Sequence, residues 1–160
     1  MKYMKMIGRF LTILFASVAM FASCQKPPTV ITDESPDYVG RMTVGYAGDS
    51  FVQEGISVKV DFNEEGTSMD LMLNKVKFVP AMPIRIDVTM MNIPLEEAAD
   101  GSMMFSADGI VPWAMGGPYD TYRVDGLTGV IKGDSISFSL DFFNTKKNEG
   151  YSTSYEGAKK

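Results

Sequence analysis

The chain has 160 residues, one cysteine and no histidine. That excludes an internal disulfide, Cys/His zinc sites and imidazole-dependent catalysis within one chain. Three of its 15 basic residues and none of its 20 acidic ones precede Cys24, so the chain from Cys24 onward has a net charge of −8. Such a surface is a poor match for nucleic acid or anionic lipid head groups.

Residues 1–9 carry Lys2, Lys5 and Arg9, and residues 10–21 form an uncharged, mostly apolar run. That run is shorter than the roughly 20 residues a bilayer span needs, and it fits the apolar core of a signal peptide. Ala22 and Ser23 are the small residues a signal peptidase requires. Phe21-Ala22-Ser23-Cys24 resembles a lipobox, the cleavage motif of bacterial lipoproteins. The resemblance implies that residues 1–23 are removed, that the Cys24 thiol receives diacylglycerol and that the new amine is acylated. Several acyl chains, at about 0.8 kcal/mol per buried CH₂, make a stable membrane anchor.

Residues 24–37 read as a lipidated tether, because Pro27, Pro28 and Pro36 disfavour regular structure and stiffen the chain. Lys26-Pro27-Pro28 stands where Bacteroides-type lipoproteins often carry an acidic surface-export cluster. The first acids come later, at Asp33 and Glu34. The expected location is the cell envelope, at the outer membrane, with the periplasmic face and the cell surface both open.

From residue 38 to 160 the pattern is that of strands. Ile56, Val58, Val60 and Phe62 alternate with Ser57, Lys59 and Asp61. Ile84, Ile86, Val88 and Met90 alternate likewise, as do Ile136, Phe138, Leu140 and Phe142. Period-two alternation places these groups on one face of a half-buried strand. Weaker strands are expected over residues 38–46, 69–78, 103–107, 122–131 and 151–155. Parity slips at Asn74-Lys75, which predicts a bulge, and Gly126 and Gly129 predict bends. Turn signals stand at Asn63-Glu64-Glu65-Gly66, Asp100-Gly101, Gly133-Asp134 and Asn148-Glu149-Gly150. Residues 94–99 are expected to form one helical turn.

About eight strands joined by short turns predict an all-β, antiparallel domain. An eight-stranded barrel removes exposed edges and holds either packed side chains or one small ligand. A two-sheet β-sandwich is the alternative. The chain resembles the calycin-like (lipocalin-like) domain of Bacteroides-type lipoproteins. The segments that carry the resemblance are Tyr38-Val39-Gly40-Arg41-Met42-Thr43-Val44, Asp70-Leu71-Met72-Leu73-Asn74-Lys75-Val76-Lys77-Phe78 and Pro83-Ile84-Arg85-Ile86-Asp87-Val88, closing at Asn92-Ile93-Pro94. Leu127-Thr128-Gly129-Val130-Ile131-Lys132-Gly133-Asp134 and Tyr155-Glu156-Gly157 add to it. The resemblance implies a calycin barrel and, by analogy, binding of a small apolar or amphipathic ligand.

Residues 110–119 hold Trp113, Met115 and Tyr119 in a Pro/Gly-rich loop that either caps a barrel mouth over a ligand or plugs it. With Phe62, Leu71, Ile86 and Phe138 from the alternating strands, these are the expected ligand contacts. Nine methionines follow Cys24 and suit either a loosely shaped pocket or gap-filling in the core. Asp61-x-Asn63-x-Glu65-Gly66 looks like the start of a calcium loop, but the twelfth position is Met72, so a hairpin turn is the better reading. Glu64/Glu65 and Glu96/Glu97 are adjacent pairs, which in a strand point to opposite faces and in a turn are solvated. No enzyme, cofactor or metal is therefore expected. Three functions remain: a ligand-binding barrel, a structural or protein-interaction lipoprotein with a solid core, and, least supported, a carboxylate-dependent hydrolase.

Overall fold

The computed structural model describes residues 35–160, so Cys24, residues 1–23 and most of the tether lie outside the described residues. Ten strands follow in order: β1 (Asp37–Tyr46), β2 (Asp49–Phe62), β3 (Ser68–Val76), β4 (Ile86–Glu97), β5 (Met103–Ala107), β6 (Trp113–Ala114), β7 (Gly117–Pro118), β8 (Tyr122–Lys132), β9 (Ser135–Asn144) and β10 (Glu149–Lys159).

The antiparallel ladder runs β3-β2-β1-β10-β9-β8-β5-β4, and β3 also pairs with β4. Eight strands therefore close into a barrel. β6 and β7 form a two-residue hairpin hung on β4, with Val88 opposite Ala114 and Thr89 opposite Trp113. A sandwich would leave two separate sheets; closure decides for the barrel. The long loops 77–85 and 108–121 and the turns 47–48 and 145–148 share one end, the loop end. Turns 63–67, 98–102 and 133–134 share the other, where the described chain enters at Ser35 and leaves at Lys160.

Closure needs bent strands, and bulges supply the bends. Pairing shifts register twice between β3 and β4, at Met69/Leu71 and Leu73/Val76. It shifts again between β8 and β9 at Asp125/Thr128. Each bulge holds a residue at positive φ: Asn92 at 56°, Lys75 at 53° and Gly126 at 58°. In each, an aspartate on a neighbouring segment takes up the amide. Lys75 N–H donates to Asp87, Asn92 N–H to Asp70 and Gly126 N–H to Asp108, all at 2.8 Å. These are charge-assisted bonds that pin the register. The bulge expected at Asn74-Lys75 and the bend expected at Gly126 are both present.

Two expectations need correction. Residues 94–97 are the end of β4, not a helical turn: Leu95, Glu96 and Glu97 pair with Phe105, Met104 and Met103. Leu95 points inward and is buried, and Ile93 before it is too, so the core alternation runs on through this segment. Tertiary pairing outweighs the local helical preference of Glu and Ala. Ile84 lies before β4 and is exposed, so that strand begins at Ile86.

Candidate functional site

The barrel interior is filled. Met42, Val44, Val58, Val60, Leu71, Leu73, Val76, Met90, Ile93 and Val124 each have 0% of their surface open to water. Side chains that no water-sized sphere can touch line no cavity large enough to hold water, let alone a ligand. Leu71, Ile86 and Phe138 belong to this core. Phe62 shares their parity on β2 but sits at the barrel's end and is exposed.

The loop end is corked by stacked aromatic rings. Phe78 turns in from loop 77–85 and lies on Phe142 with centroids 3.7 Å apart and planes 10° apart. Tyr122 packs against Phe142 at 4.7 Å, and Tyr119 on Tyr122 at 4.9 Å. Stacked pairs of this kind are worth about 0.5–1.5 kcal/mol beyond their area. Burial first, and the neighbouring Tyr122 second, raise the Tyr119 phenol above its ordinary range. The Phe78 loop is held by Gln53, buried on β2. Its Nε2 donates to the Lys77 carbonyl at 2.9 Å, and its Oε1 accepts the Lys77 N–H at 3.0 Å. Arg85 Nη1 donates to the same Oε1 and to the Lys75 carbonyl, both at 3.1 Å.

Of the expected loop contacts, only Tyr119 joins this stack. Trp113 lies on β6 against β4, and Met115 is 71% exposed in the β6–β7 turn at φ 54°. Phe78, Tyr122, Phe142 and Gln53 were not among the expected site residues. Phe142 was legible as an inward position of its alternating strand, whereas nothing local marked Phe78, Tyr122 or Gln53.

The outer surface divides into two arcs. Outward positions on β2, β3 and β4 include Glu54, Lys59, Asp61, Asp70 and Asp87. Asp61 and Asp70 face each other across the β2–β3 ladder. Burial, then the Asp61 charge, raise the Asp70 carboxyl, against the lowering effect of the Asn92 amide. Asn63 spends its carboxamide on the adjoining turn, accepting from Thr67 N–H at 2.8 Å and Ser68 N–H at 3.1 Å. Among the described residues no group of three or more acidic or cysteine side chains is placed to hold a metal.

The other arc carries hydroxyls. Thr43 pairs with Ser154, Ser154 with Ser139, Ser139 with Thr128 and Thr128 with Ser106. One Ser or Thr from each of β1, β10, β9, β8 and β5 thus stands in a single row. Towards the loop end the next row is Gly45, Ser152, Asp141 and Asp125. Beyond it the Arg123 guanidinium clasps Asp125, with Nε–O distances of 2.7 and 2.8 Å, and lies 5.3 Å over the Phe143 ring. The hydrogen bond from Arg123 lowers the Asp125 carboxyl.

Neither a family model nor a curated protein sequence matches the chain. A crystal structure from Bacteroides fragilis, of a "putative outer membrane protein", shares the fold with a TM-score of 0.58 at 12% identity, over 78% of this chain and 50% of that one. The chain therefore spans about half the length of this structural neighbour. At that identity the likeness is one of fold.

Proposed function

We propose that the protein is a cell-envelope lipoprotein, anchored through acylated Cys24, whose solid barrel works by presenting its outer surface to partners. It is neither a carrier of an apolar ligand nor an enzyme. The observation that carries this reading is the Phe78–Phe142 stack at the loop end, above an interior packed to exclude water. An apolar ligand would have to displace that ring and several core side chains.

The tether geometry agrees. Eleven peptide steps separate Cys24 from Ser35, a reach of at most about 40 Å at 3.3–3.6 Å each. The described chain joins the barrel at the end opposite the long loops, so the tether attaches at that end. An acidic barrel held on a tether is repelled, not drawn, by anionic lipid. The name of the structural neighbour places that protein at the outer membrane, which fits an envelope role here.

Two measurements on the full-length protein test the reading. Intact mass of the membrane-extracted protein should show acyl chains on Cys24, and Cys24→Ala should move the protein to the soluble fraction. A Cys24→Ala protein that still carried lipid would refute the anchor. Native mass spectrometry of Cys24→Ala should show the bare chain; an apolar molecule retained at one per barrel would refute the solid core.

A further inference from the structure

We propose that Met82 is an oxidation site, and that its conversion to the sulfoxide by hydrogen peroxide releases the Phe78 ring from the closed end of the barrel. The inference concerns that end alone and holds whether or not Cys24 is acylated.

The site follows from how loop 77–85 keeps its shape. Val79 to Met82 is a tight turn, closed by the Met82 N–H, which donates to the Val79 carbonyl at 3.1 Å. The Met82 side chain then folds back, and its Sδ accepts the Phe78 N–H at 3.2 Å. The residue that closes the mouth is thus held, through its own amide, by a thioether four positions on. Gln53 fixes the backbone one residue earlier, at Lys77. Arg85 ties the far end of the loop to the same Gln53. Between these two ends, the Met82 sulfur is the side-chain clasp on the loop.

Met82 also stands apart from the other methionines. Among the described residues, no other methionine sulfur accepts a hydrogen bond. Met42, Met69 and Met90 are buried in the core, out of reach of an oxidant in water. Met104 and Met115 are exposed, so a sulfoxide there points into solvent. Met72, Met91 and Met103 are half-buried but clasp no backbone group. Met82 is half-buried and packs against the core. It alone combines access with a contact that oxidation would break.

The step balances with peroxide as the sole reactant. A sulfur lone pair attacks one peroxide oxygen and the O–O bond breaks. The proton on the attacked oxygen passes to the departing one, which leaves as water. Sulfur gives up two electrons and the peroxide is reduced. With one lone pair turned to the Phe78 amide, the other takes the oxygen. A thioether is already a weak acceptor, and the electron-poor sulfur of a sulfoxide is a weaker one. To offer its new oxygen instead, the sulfur must back away by the length of the S–O bond. The sulfoxide is also polar where the thioether packed on apolar side chains, a change that disrupts packing. Each response moves the turn that starts at Phe78, and the ring leaves Phe142 with its own backbone. Reductases return the sulfoxide to the thioether, so the end can close again.

Peroxide titration of the full Cys24→Ala chain, in which methionine supplies all the sulfur, tests this. Peptide mapping follows each sulfoxide, and hydrogen exchange follows loop 77–85. Met104 and Met115 should oxidise first and leave the loop's exchange unchanged. Oxidation of Met82 should then quicken exchange at Phe78 and across the loop about tenfold or more, as a local unit opens. Reductases for both sulfoxide epimers should return the slow rate. Met82→Leu keeps the bulk and has no sulfur. Its loop should exchange at one rate before and after peroxide, although its other methionines oxidise. The proposal is overturned if Met82 stays reduced at peroxide levels that convert Met115 completely, or if the loop quickens before Met82 is oxidised. It is also overturned if the Met82 sulfoxide leaves Phe78 exchange unchanged, if exchange stays fast once Met82 is reduced again, or if peroxide quickens the loop equally in Met82→Leu.

Discussion

Phe78 lies flat on Phe142, 3.7 Å between ring centroids, and so ties loop 77–85 to the end of β9. The two residues are far apart in sequence and come from opposite arcs of the barrel, the loop after β3 and the end of β9. Their contact turns a hollow mouth into a closed end. Removing the ring by Phe78→Ala should destabilise the fold by about 3–5 kcal/mol, the usual cost of deleting a buried aromatic. Urea unfolding measures this, with the midpoint falling and the slope unchanged. A loss below 1 kcal/mol would mean that the mouth collapses or that the ring is not packed there.

The strands were legible because alternation survives in the sequence. Ile56 to Phe62 and Ile136 to Phe142 read correctly, since one face of each is core. Phe78 was harder. It follows the bulge at Lys75, where parity is lost, and nothing local says whether it points in or out. Leu95 was misread because Pro94, Glu96 and Glu97 look like a helix start, and only pairing with β5 makes them strand. The first half of β2, Asp49 to Gly55, passed unread because its outward and end positions break the apolar pattern. The hydroxyl row is invisible in one dimension. Ser106, Thr128, Ser139, Ser154 and Thr43 come together only through four registers, and registers depend on the bulges.

Tyr155 spans a second junction of this kind. Its hydroxyl lies 2.9 Å from both the Tyr38 and Ile56 carbonyls, on β1 and β2. One proton serves two acceptors where the β1–β2 register shifts between Gly40 and Met42. Burial, aided by the Asp37 charge, raises this phenol far above its ordinary value, so it stays a donor at any working pH. Tyr155→Phe keeps the ring on Phe138 and removes the donor. The expected cost is about 1–3 kcal/mol, the desolvation of acceptors left unpaired. Hydrogen exchange should quicken first at the β1–β2 bulge; uniform quickening would argue against a local role.

Gly129 is required by a close approach. A Cβ there would collide with Phe105 Cζ and come within 2.6 Å of Phe138 Cβ and the Ser137 carbonyl. Gly129→Ala should therefore cost about 1–3 kcal/mol by overpacking. Part of the clash is with the far end of a side chain, so Phe105→Leu should relieve some of it. The double variant is expected to be more stable than the two single losses added together predict. Strict additivity would show that the Ser137 backbone, not the Phe105 ring, is the obstacle.

The carboxylate of Asp70 gives a prediction with a definite sign. It receives the Asn92 amide at 2.8 Å, yet burial and the facing Asp61 raise its pKa above the ordinary 3.8. A group whose folded pKa is raised stabilises most while protonated. Its contribution is complete below the unfolded value and is lost as pH rises through the folded one. Ionised Asp70 therefore weakens the barrel at neutral pH. Asp70→Asn keeps an oxygen for the Asn92 amide and removes the charge, so it should raise the thermal midpoint at neutral pH. Variant and wild type should converge in acid, below 3.8. Asp100 titrates with the opposite sign, because the Ser102 hydroxyl, the Ser102 amide and Lys132 lower it to about 2. Its contribution is present above 3.8 and fades as pH falls towards 2. Both proteins share it, so the difference between their pH profiles isolates Asp70. A variant less stable than wild type at neutral pH would mean that the charge-assisted bond to Asn92 outweighs burial and repulsion from Asp61.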